Sequence, residues 1–365
     1  MKILLLGGTG AMGVHLASVM SKRGDEVYVT TRQKRATTGI HFLQGNAHDI
    51  DFIKPILIQK WDAIVDFMVY STEELKERAK LLLSSTTQYV FISSSRVYAQ
   101  NDNPIIEDSP LLLDTVKDDA YLSTDEYALK KAREERILKD SGNNFTIVRP
   151  YITFSEQRLQ LGDLEKEDWL FRALDDRAIV LSEDIANHIT TLTYGLDVAN
   201  GIAALIGEKK AIGETIHITT SETMKWSDVL KVYLDTICEV TGNRPKVHYI
   251  KNSLKLKEKE TKYQVLYDRR YDRVFDNAKI KNLASGLEFS PVVECLKQCV
   301  TDFIRNGQFQ KVSYLLEAER DRITGDTIPL RKIKENRDKV IYIACRYFGL
   351  AWMLRIILIF RKKQK

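Results

Sequence analysis

A tyrosine and a lysine four positions apart, Tyr127 and Lys131, are the side chains best placed for chemistry in this sequence. On a helix, residues four positions apart share one face, so the phenol and the ammonium would lie one turn apart. A phenol is a poor base at neutral pH unless a nearby cation stabilises the phenolate, as this ammonium would. The hydroxyl of Ser94 or Ser95, at the end of an apolar run, could hydrogen-bond a substrate oxygen. This set predicts proton transfer beside a carbonyl, as in redox chemistry on an alcohol or ketone.

A glycine-rich segment, GGTGAMG at residues 7–13, directly follows the apolar run ILLL. Glycines spaced G-x-x-G-x-x-G let the backbone turn tightly, approach phosphate oxygens, and pack the next helix against the strand. The N-terminus of that helix would also favour the negative charge of a dinucleotide pyrophosphate. Six residues of this loop are expected to bind a dinucleotide cofactor: Gly7, Thr9, Gly10, Ala11, Met12 and Gly13.

Basic residues follow the second apolar run, Glu26–Thr31, where an acidic residue commonly binds the ribose hydroxyls of NAD. Arg32 comes first, and Lys34 and Arg35 come soon after it. A guanidinium can hold a 2'-phosphate through paired, charged hydrogen bonds, whereas a carboxylate would repel it. The cofactor is therefore expected to be NAD(P), with NADP favoured, although a solvated basic loop would have the same composition. Asp49, after the third apolar run, is expected near the adenine.

The elements that must position these residues alternate between strand and helix. Apolar runs predict strands at residues 2–6, 26–31, 41–44, 63–67, 89–93, 144–148 and 215–219, with helices over residues 11–23, 72–84 and 124–136. Ser123 and Glu126 have the spacing of a capping box, which predicts that the last of these helices begins near Thr124. Such alternation is typical of a doubly wound parallel sheet. We therefore predict an α/β fold with a Rossmann-type sheet and a smaller C-terminal α/β part that binds substrate.

Three regions are expected along the chain: an NAD(P)-binding domain over 1–150, a substrate-binding part over 151–305 that is interleaved with it, and a helical extension over 306–365. The tail, residues 340–365, is apolar and basic. Arg346 and Arg355 interrupt its apolar run and would be costly at depth in a bilayer. A helix packed on the body or on another subunit, or a peripheral contact with a membrane, is favoured over a membrane span.

The composition of the 365-residue chain is that of an ordinary globular protein, 44% hydrophobic and 29% charged. A net charge of +5 gives little reason to expect a nucleic-acid partner. The four cysteines form no CxxC pair and no Cys/His cluster, so no metal site is expected. The apolar run after Met1 is too short for a signal peptide, so the expected location is the cytoplasm, including the inner face of a membrane.

The chain resembles the short-chain dehydrogenase/reductase superfamily, and more closely its extended branch of nucleotide-sugar epimerases, dehydratases and reductases. The likeness covers about residues 1–305 and rests on GGTGAMG, FISSSRVYA at 91–99, YALKK at 127–131, VRP at 148–150, the stretch 195–203 with Asp197, and RVFDNAKIKNL at 273–283. The resemblance implies that Ser94, four positions before the tyrosine of the VY pair, is the catalytic hydroxyl residue. It joins Tyr127 as the acid/base and Lys131, which stabilises the phenolate and is also expected to bind the nicotinamide ribose.

Two positions depart from the family's dehydratases, which have Asp and Glu where this chain has Ser95 and Arg96. This difference argues against elimination of water and leaves epimerisation, ketone reduction or alcohol oxidation. Ser95 is a further candidate for substrate binding. In relatives, basic residues from the second half often bind the nucleotide diphosphate, and three arginines are candidates for this by position: Arg269, Arg270 and Arg273.

The resemblance implies an NAD(P)-dependent epimerase of a nucleotide-activated sugar, with an NADPH-dependent ketoreductase of a nucleotide-linked keto-sugar as the alternative. Some relatives have lost catalysis and act as nucleotide-sensing or RNA-binding proteins, but here all three catalytic positions are filled. The tail also suggests work at the inner membrane face in envelope polysaccharide biosynthesis. The family commonly pairs through two helices per subunit, so a homodimer through residues 72–84 and 124–139 is expected.

Overall fold

The computed structural model describes residues 1–256 and 261–355. Its strands are β1 Lys2–Leu6, β2 Glu26–Thr31, β3 Ile40–Gln44, β4 Trp61–Asp66, β5 Thr86–Ile92, β6 Phe145–Pro150, β7 Thr153–Phe154, β8 Ile179–Ser182, β9 Ile189–Thr190, β10 Thr193–Tyr194, β11 Thr215–Ile218, β12 Met224–Lys225 and β13 Val247–Ile250. Its helices are α1 Gly13–Lys22, α2 Ile50–Ile58, α3 Thr72–Ser84, α4 Leu112–Thr115, α5 Asp119–Leu122, α6 Tyr127–Ser141, α7 Lys166–Ala173, α8 Glu183–Ala186, α9 Gly195–Leu205, α10 Trp226–Thr241, α11 Lys262–Gln264, α12 Ala278–Leu283, α13 Val292–Asn306, α14 Tyr314–Thr324 and α15 Asn336–Phe348.

Seven parallel strands form the main sheet, in the order β11-β6-β5-β4-β1-β2-β3. The chain runs outward from β1 to β3 on one side and from β4 to β6 on the other, so its direction reverses between β1 and β4. In open parallel sheets, ligands bind outside the carboxyl ends of the strands at such a reversal. The predicted doubly wound fold is confirmed, and the glycine loop lies at this point because it directly follows β1.

The apolar run of β1 is buried on both faces of the sheet. Ile3 and Leu5 belong to a core cluster that includes residues of α1, α9 and α12. Leu4 and Leu6 belong to a second cluster, with residues of α2, α3 and α6. A central parallel strand covered by helices on both sides has no polar face, which explains why its sequence is continuously apolar. This packing holds the start of the glycine loop in place.

Two compact units divide the chain. The first consists of residues 1–158, 189–224 and 271–296 and contains the seven-stranded sheet. The second consists of residues 159–188, 225–270 and 297–365, and within it β8 and β13 pair in parallel while Trp169 stacks on Tyr233 with ring centroids 4.3 Å apart. The three ranges inferred from the sequence remain a proposal.

Helix α6 begins at Tyr127, three residues later than the capping-box spacing predicts. Glu126 is the N-cap, and its carboxylate accepts a hydrogen bond from the Ala128 amide at 2.8 Å. In the segment before α6, the carbonyl oxygens of Leu122 and Thr124 both accept hydrogen bonds from the Arg133 guanidinium at 2.6 Å. These carbonyls belong to a separate turn that α6 does not continue, so the predicted start near Thr124 is wrong. As a consequence, Tyr127 is the first residue of the helix.

The C-terminal helices pack on each other within the second unit. Tyr342 of α15 is buried, and its hydroxyl donates to Asp321 of α14 at 2.6 Å. Arg346 donates to the Asp326 carbonyl oxygen at 3.0 Å, and Arg355 pairs with Glu319. Both arginines of the tail therefore bind partners around α14. Among the described residues, no helix combines the length and the apolar character that crossing a membrane requires.

Candidate functional site

At two positions of the glycine loop, close contacts leave no room for a side chain. Gly7 has a φ of +68°, and a Cβ there would lie 2.7 Å from the Met68 Sδ. A Cβ on Gly13, the first residue of α1, would lie 2.6 Å from the backbone of Gly8. The Gly7 amide donates to the Thr30 hydroxyl at 2.9 Å, which ties the loop to the end of β2. The loop is thus folded tightly between the ends of β1, β2 and β4.

Gly10 has a different environment, because a Cβ there would meet no protein atom within 4 Å. The space beside Gly10 is open, and the helix that follows has no acidic residue in its first turn and no side-chain cap at Met12. Open space next to the uncapped N-terminus of a helix suits a pyrophosphate, which brings its own negative charge and acceptors. The loop therefore fits the dinucleotide that the sequence predicts.

Gly195, at the start of α9, packs against the same loop. A Cβ on Gly195 would lie 2.7 Å from the Ala11 carbonyl oxygen, so only glycine allows this approach. Two residues later, the buried carboxylate of Asp197 accepts from the Ser290 amide at 2.8 Å and from its hydroxyl at 2.9 Å. The start of the stretch 195–203 thus packs closely against the glycine loop.

A cavity of about 220 Å³ lies beside Gly8 and Thr9, between α1 and the segment that joins β2 to β3. Arg35 and Lys22 line it, together with the hydroxyl side chains of Ser18, Ser21, Thr37 and Thr38. Apolar side chains form much of the remaining lining: Val14, Ala17, Val29, Ile40 and Phe42. The two cations and the hydroxyls are the groups in this lining that could bind a phosphate. Arg32 is exposed and is not among the lining residues. Within the basic stretch that the sequence predicts, the structure therefore directs attention to Arg35 rather than Arg32.

Asp49 caps a helix. Its side chain accepts from the Asp51 amide at 2.9 Å, which makes it the N-cap of α2. The carboxylate lies after β3 on the same sheet edge as the glycine loop, where the sequence places the adenine. Because a carboxylate has a second acceptor oxygen, Asp49 can cap α2 and still accept a hydrogen bond from an adenine, as predicted.

Three serines follow β5, and their hydroxyls have different partners. The Ser93 hydroxyl donates to Glu135 at 2.5 Å, and the Ser95 hydroxyl donates to the Arg149 carbonyl oxygen at 2.9 Å. The Ser94 hydroxyl accepts from the Arg96 amide at 3.2 Å, and among the described residues no acceptor takes its proton. Ser94 therefore keeps a donor for a substrate oxygen, whereas Ser95 is committed to the interior.

Tyr127 is half-buried beside a charged pair, Arg96 and Glu126, whose members are 30 positions apart in the sequence. The Arg96 guanidinium lies over the Tyr127 ring, 5.3 Å from its centroid. Arg96 pairs with Glu126 at 2.7 Å, and Glu126 also accepts from the Tyr121 hydroxyl at 3.1 Å. No described residue hydrogen-bonds the Tyr127 hydroxyl. Arg96 thus links the turn of the serines to the start of α6 and holds the phenol ring between them.

Lys131 is buried on the face of α6 that meets the sheet. Its ammonium lies 4.3 Å from the centroid of the Phe91 ring and donates to the Met68 carbonyl oxygen at 3.4 Å. It also lies 3.0 Å from a carboxylate oxygen of Glu134, one turn further along the helix. Met68 is the residue whose sulfur approaches Gly7, so Lys131 is anchored next to the glycine loop. The spacing of Lys131 and Glu134 was visible in the sequence, but their shared burial was not.

The three arginines proposed for the nucleotide diphosphate all have protein partners. In the second unit, Arg269 is buried, pairs with Asp268 and donates to the Gly162 carbonyl oxygen at 2.9 Å. Arg270 pairs with Asp184 and donates to Asn252 at 3.1 Å. In the first unit, Arg273 is buried and donates to the carbonyl oxygens of Tyr98 and Ala99 at 3.1 and 3.0 Å. Substrate contact by any of them stays a prediction.

A model of the NAD dependent epimerase/dehydratase family matches residues 3–219. Among curated proteins, chloroplast stem-loop binding protein of 41 kDa b from Arabidopsis thaliana is 25% identical over 268 residues, or 68% of this chain. UDP-glucose 4-epimerase from Lactobacillus helveticus is 30% identical over 135 residues, or 30% of this chain. The matched regions span 66% and 41% of the lengths of these two relatives.

Among solved structures, UDP-glucuronic acid 4-epimerase from Bacillus cereus in complex with NAD superposes with a TM-score of 0.64. The match covers 84% of this chain and 100% of that one, at 16% identity. The same epimerase has also been solved with UDP-glucuronic acid and NAD. At this level of identity the superposition establishes a shared fold.

Proposed function

The chain belongs to the NAD dependent epimerase/dehydratase family, and on this basis we propose that it is an NAD(P)-dependent epimerase of a nucleotide-activated sugar. The predicted family is thereby confirmed. The observation that carries the proposed activity is the arrangement of Ser94, Tyr127 and Lys131 around the carboxyl ends of β4 and β5, next to the glycine loop. The Ser94 hydroxyl keeps its proton, no described residue hydrogen-bonds the Tyr127 hydroxyl, and the Lys131 ammonium lies at the Met68 carbonyl beside the loop.

The geometry supports a division of labour among these residues. A bound nicotinamide would supply a hydride acceptor that can also return the hydride. Tyr127, as phenolate, would take the proton of a sugar hydroxyl and later give it back to the keto oxygen. Ser94 would donate a hydrogen bond to that oxygen in both directions. Lys131, held at the Met68 carbonyl, would stabilise the phenolate and bind the nicotinamide ribose.

Substitution of the phenol tests this proposal. Purified protein would be incubated with NAD or NADP and a panel that includes UDP-glucose and UDP-glucuronic acid, and products would be followed by NMR. Conversion of one sugar to its epimer is expected, and Tyr127→Phe should lower the rate by about 100-fold or more. Tyr121→Phe is the matched control, because it removes the hydroxyl of a nearby tyrosine that donates to Glu126. Activity that is unchanged in Tyr127→Phe would contradict the proposal.

We propose NADP as the preferred cofactor, with a ketoreductase as the alternative activity that this preference favours. Support comes from Arg35 and Lys22 in the cavity beside the glycine loop. Arg35→Glu should raise the Kd of NADPH about tenfold or more and leave that of NADH nearly unchanged, whereas Arg32→Glu should have a smaller effect. Cofactor released from the denatured protein would be identified by mass spectrometry. Tightly retained oxidised cofactor favours the epimerase, and NAD as that cofactor would contradict the NADP preference.

A second candidate function comes from the relative whose name describes binding of a stem-loop. We propose it as the alternative of another class, a nucleic-acid-binding member of the family without catalysis. The filled catalytic positions favour the enzyme. Titration with a labelled RNA hairpin separates the two, because a non-catalytic binder should retain its affinity for the hairpin in Tyr127→Phe and convert no nucleotide sugar.

We further propose that the protein works in the cytoplasm and contacts the inner face of a membrane peripherally, through residues 340–365. A role in envelope polysaccharide biosynthesis would be consistent with this location. A homodimer through α3 and α6 is proposed as well. These two helices lie side by side in the first unit, and Thr72 and Asp125 hydrogen-bond at 2.6 Å where they meet.

A further inference from the structure

Large apolar side chains cover the outer side of the last described helices. Val340, Tyr347, Phe348 and Trp352 are 66%, 57%, 71% and 64% exposed, and Met353 adds to the same stretch. Surface apolar residues are common singly, but five within fourteen positions concentrate exposed apolar side chains in one stretch, as interaction sites do. We call these five residues the outer face of α15; Val340, Tyr347 and Phe348 belong to that helix, and Trp352 and Met353 follow its end.

The opposite side of the same segment is well packed, which fixes which residues face outward. Tyr342, Cys345 and Ala351 are buried against α14, and Tyr342 accepts from the Ile328 amide at 2.8 Å while donating to Asp321. The aromatic residues at 347, 348 and 352 therefore cannot turn inward without breaking this packing.

Charge is distributed very unevenly towards the same region. Residues 331–365 hold 11 Lys and Arg against two Asp and Glu, whereas residues 1–330 have a net charge of −4. Arg331, Lys334 and Arg337 are exposed just before and within the start of α15. The sequence RKKQK at 361–365, outside the described residues, supplies four of the 11 cations. Basic residues thus flank the apolar patch on both sides in the sequence.

We propose that the outer face of α15 docks onto a lipid bilayer that contains anionic lipids. Tyrosine and tryptophan favour the boundary between headgroups and acyl chains, and flanking Lys and Arg are attracted to anionic headgroups. A nucleic acid would also attract the cations, but it offers no partner for the exposed aliphatic side chains of Val340 and Met353. The proposal specifies the peripheral contact proposed above and is independent of the catalytic proposal.

Sedimentation of the full chain with vesicles tests this surface. Phosphatidylcholine vesicles with and without phosphatidylglycerol would be compared at low and high salt. The wild type should bind the anionic vesicles at least about tenfold better than the neutral ones, and less at high salt. The triple variant Tyr347→Ser/Phe348→Ser/Trp352→Ser should lose at least about tenfold in binding. Ile58→Ser, at another exposed apolar residue, is the matched control and should bind like the wild type.

Three results would overturn the proposal. The first is wild-type binding that is absent or indifferent to anionic lipid, and the second is a triple variant that binds as well as the wild type. The third is that the wild type binds no vesicles but binds an RNA hairpin or a second copy of the chain, and that the triple substitution abolishes this binding. Circular dichroism and the melting temperature establish that the variants fold, since all three substituted side chains are exposed.

A different observation carries a second inference, which rests on the proposed function. The side chains of Lys131 and Glu134 are 1% and 0% exposed and lie 3.0 Å apart, so the candidate lysine shares its charge with a buried carboxylate. Burial raises the pKa of Glu134 to about 7, although Lys131 opposes the shift. The other charged groups that influence Glu134 are Lys130 on the same helix and Asp66 at the end of β4.

Asp66 is itself buried and accepts from the hydroxyls of Tyr70 and Tyr89 at 3.0 and 2.7 Å. Burial also raises its pKa, despite these hydrogen bonds. Two carboxyl groups that both resist ionisation therefore lie near one ammonium. The charge that Lys131 presents to the neighbouring phenol depends on whether Glu134 carries its proton.

We propose that Glu134 is a positioning residue that anchors Lys131 and adjusts, by gaining or losing a proton, how strongly the ammonium stabilises the Tyr127 phenolate. A charged Glu134 offsets the ammonium, and a protonated one leaves its full charge for the phenolate.

Absorbance titration of tyrosinate tests this role without any substrate. The contribution of Tyr127 is the difference between each protein and its own Tyr127→Phe derivative. Glu134→Gln should lower the titration midpoint of Tyr127 by about one pH unit, because the ammonium is no longer offset. Lys130→Gln, which removes a cation rather than an anion from the same helix, should not lower the midpoint. An unchanged or raised midpoint in folded Glu134→Gln would overturn the proposal. If the midpoint falls but no nucleotide sugar is converted, the proposed epimerase fails by itself.

Discussion

The three serines after β5 are the same residue type but have three different tasks. Ser93 and Ser95 donate inward, to Glu135 and to the Arg149 carbonyl, whereas Ser94 keeps its proton. The residue types alone allow either Ser94 or Ser95 to bind the substrate oxygen, and the family resemblance selects Ser94. The environment that separates them comes from α6 and β6, which are far away in the sequence.

Alanine substitutions should separate these tasks. Ser94→Ala is expected to lower turnover by about 100-fold, since it removes a donor to the substrate oxygen, and to cost about 1 kcal/mol of stability, since the Arg96 amide loses its acceptor. Ser95→Ala should lower the free energy of unfolding by a similar amount, about 1 kcal/mol, because a buried carbonyl loses its partner, but should change turnover little. Urea unfolding and a turnover assay measure both. Equal losses of turnover in the two variants would contradict the assignment.

The raised pKa of Glu134 also predicts a dependence of stability on pH. The folded state holds the proton up to about pH 7, whereas the unfolded carboxyl releases it around its ordinary value of 4.5. Its contribution is therefore fully present below about pH 4.5 and is lost as the pH rises through about 7. The free energy of unfolding of Glu134→Gln should fall less over this interval than that of the wild type, by up to about 3 kcal/mol. Parallel profiles would show that Glu134 ionises normally.

At the scale of elements, the glycine loop contains positions that glycine occupies for opposite reasons. Gly13 leaves room for the Gly8 backbone, whereas Gly10 leaves room for something outside the chain. Gly13→Ala should cost about 1–3 kcal/mol of stability, because backbone atoms must move to admit the methyl group. Gly10→Ala should keep the stability but raise the cofactor Kd about tenfold or more. Fluorescence titration with NADPH and NADH, together with thermal melting, checks the pair. Normal cofactor affinity in Gly10→Ala would contradict the placement of the pyrophosphate beside Gly10.

Much of this unit could be predicted from residue patterns. The apolar run of β1 and the glycine spacing indicated the strand, the turn and the helix that follow, and α3 has the predicted bounds. The start of α6 could not be predicted, because Arg133 captures the carbonyls of the preceding turn from within the helix. The roles of the pairs Arg96–Glu126 and Lys131–Glu134 could not be predicted either. In the sequence these are ordinary charged residues, and only their burial in the fold makes them part of the site.

At the scale of the whole molecule, the charges on α3 bear on the proposed homodimer. The side of α3 that faces solvent carries Lys76, Glu77 and Lys80 rather than an apolar seam. A dimer through this helix would depend on charge pairs, and we expect it to dissociate at high salt. Sedimentation velocity over a range of salt concentrations checks this. The double variant Lys76→Glu/Lys80→Glu should weaken the dimer at low salt, and a dimer indifferent to both changes must use another surface.

The second unit contains a buried ion cluster in which Arg172 and Arg177 meet Glu317 and Asp321 of α14, and Tyr342 of α15 completes it. A cluster of this kind tolerates the loss of a member poorly, because the remaining charges stay buried without compensation. Removing α15 would therefore expose this ion cluster to solvent and α14 to proteases, whatever the function of the tail. Anyone who shortens this protein to improve its solubility should keep residues through Arg355 and replace exposed aromatic side chains instead.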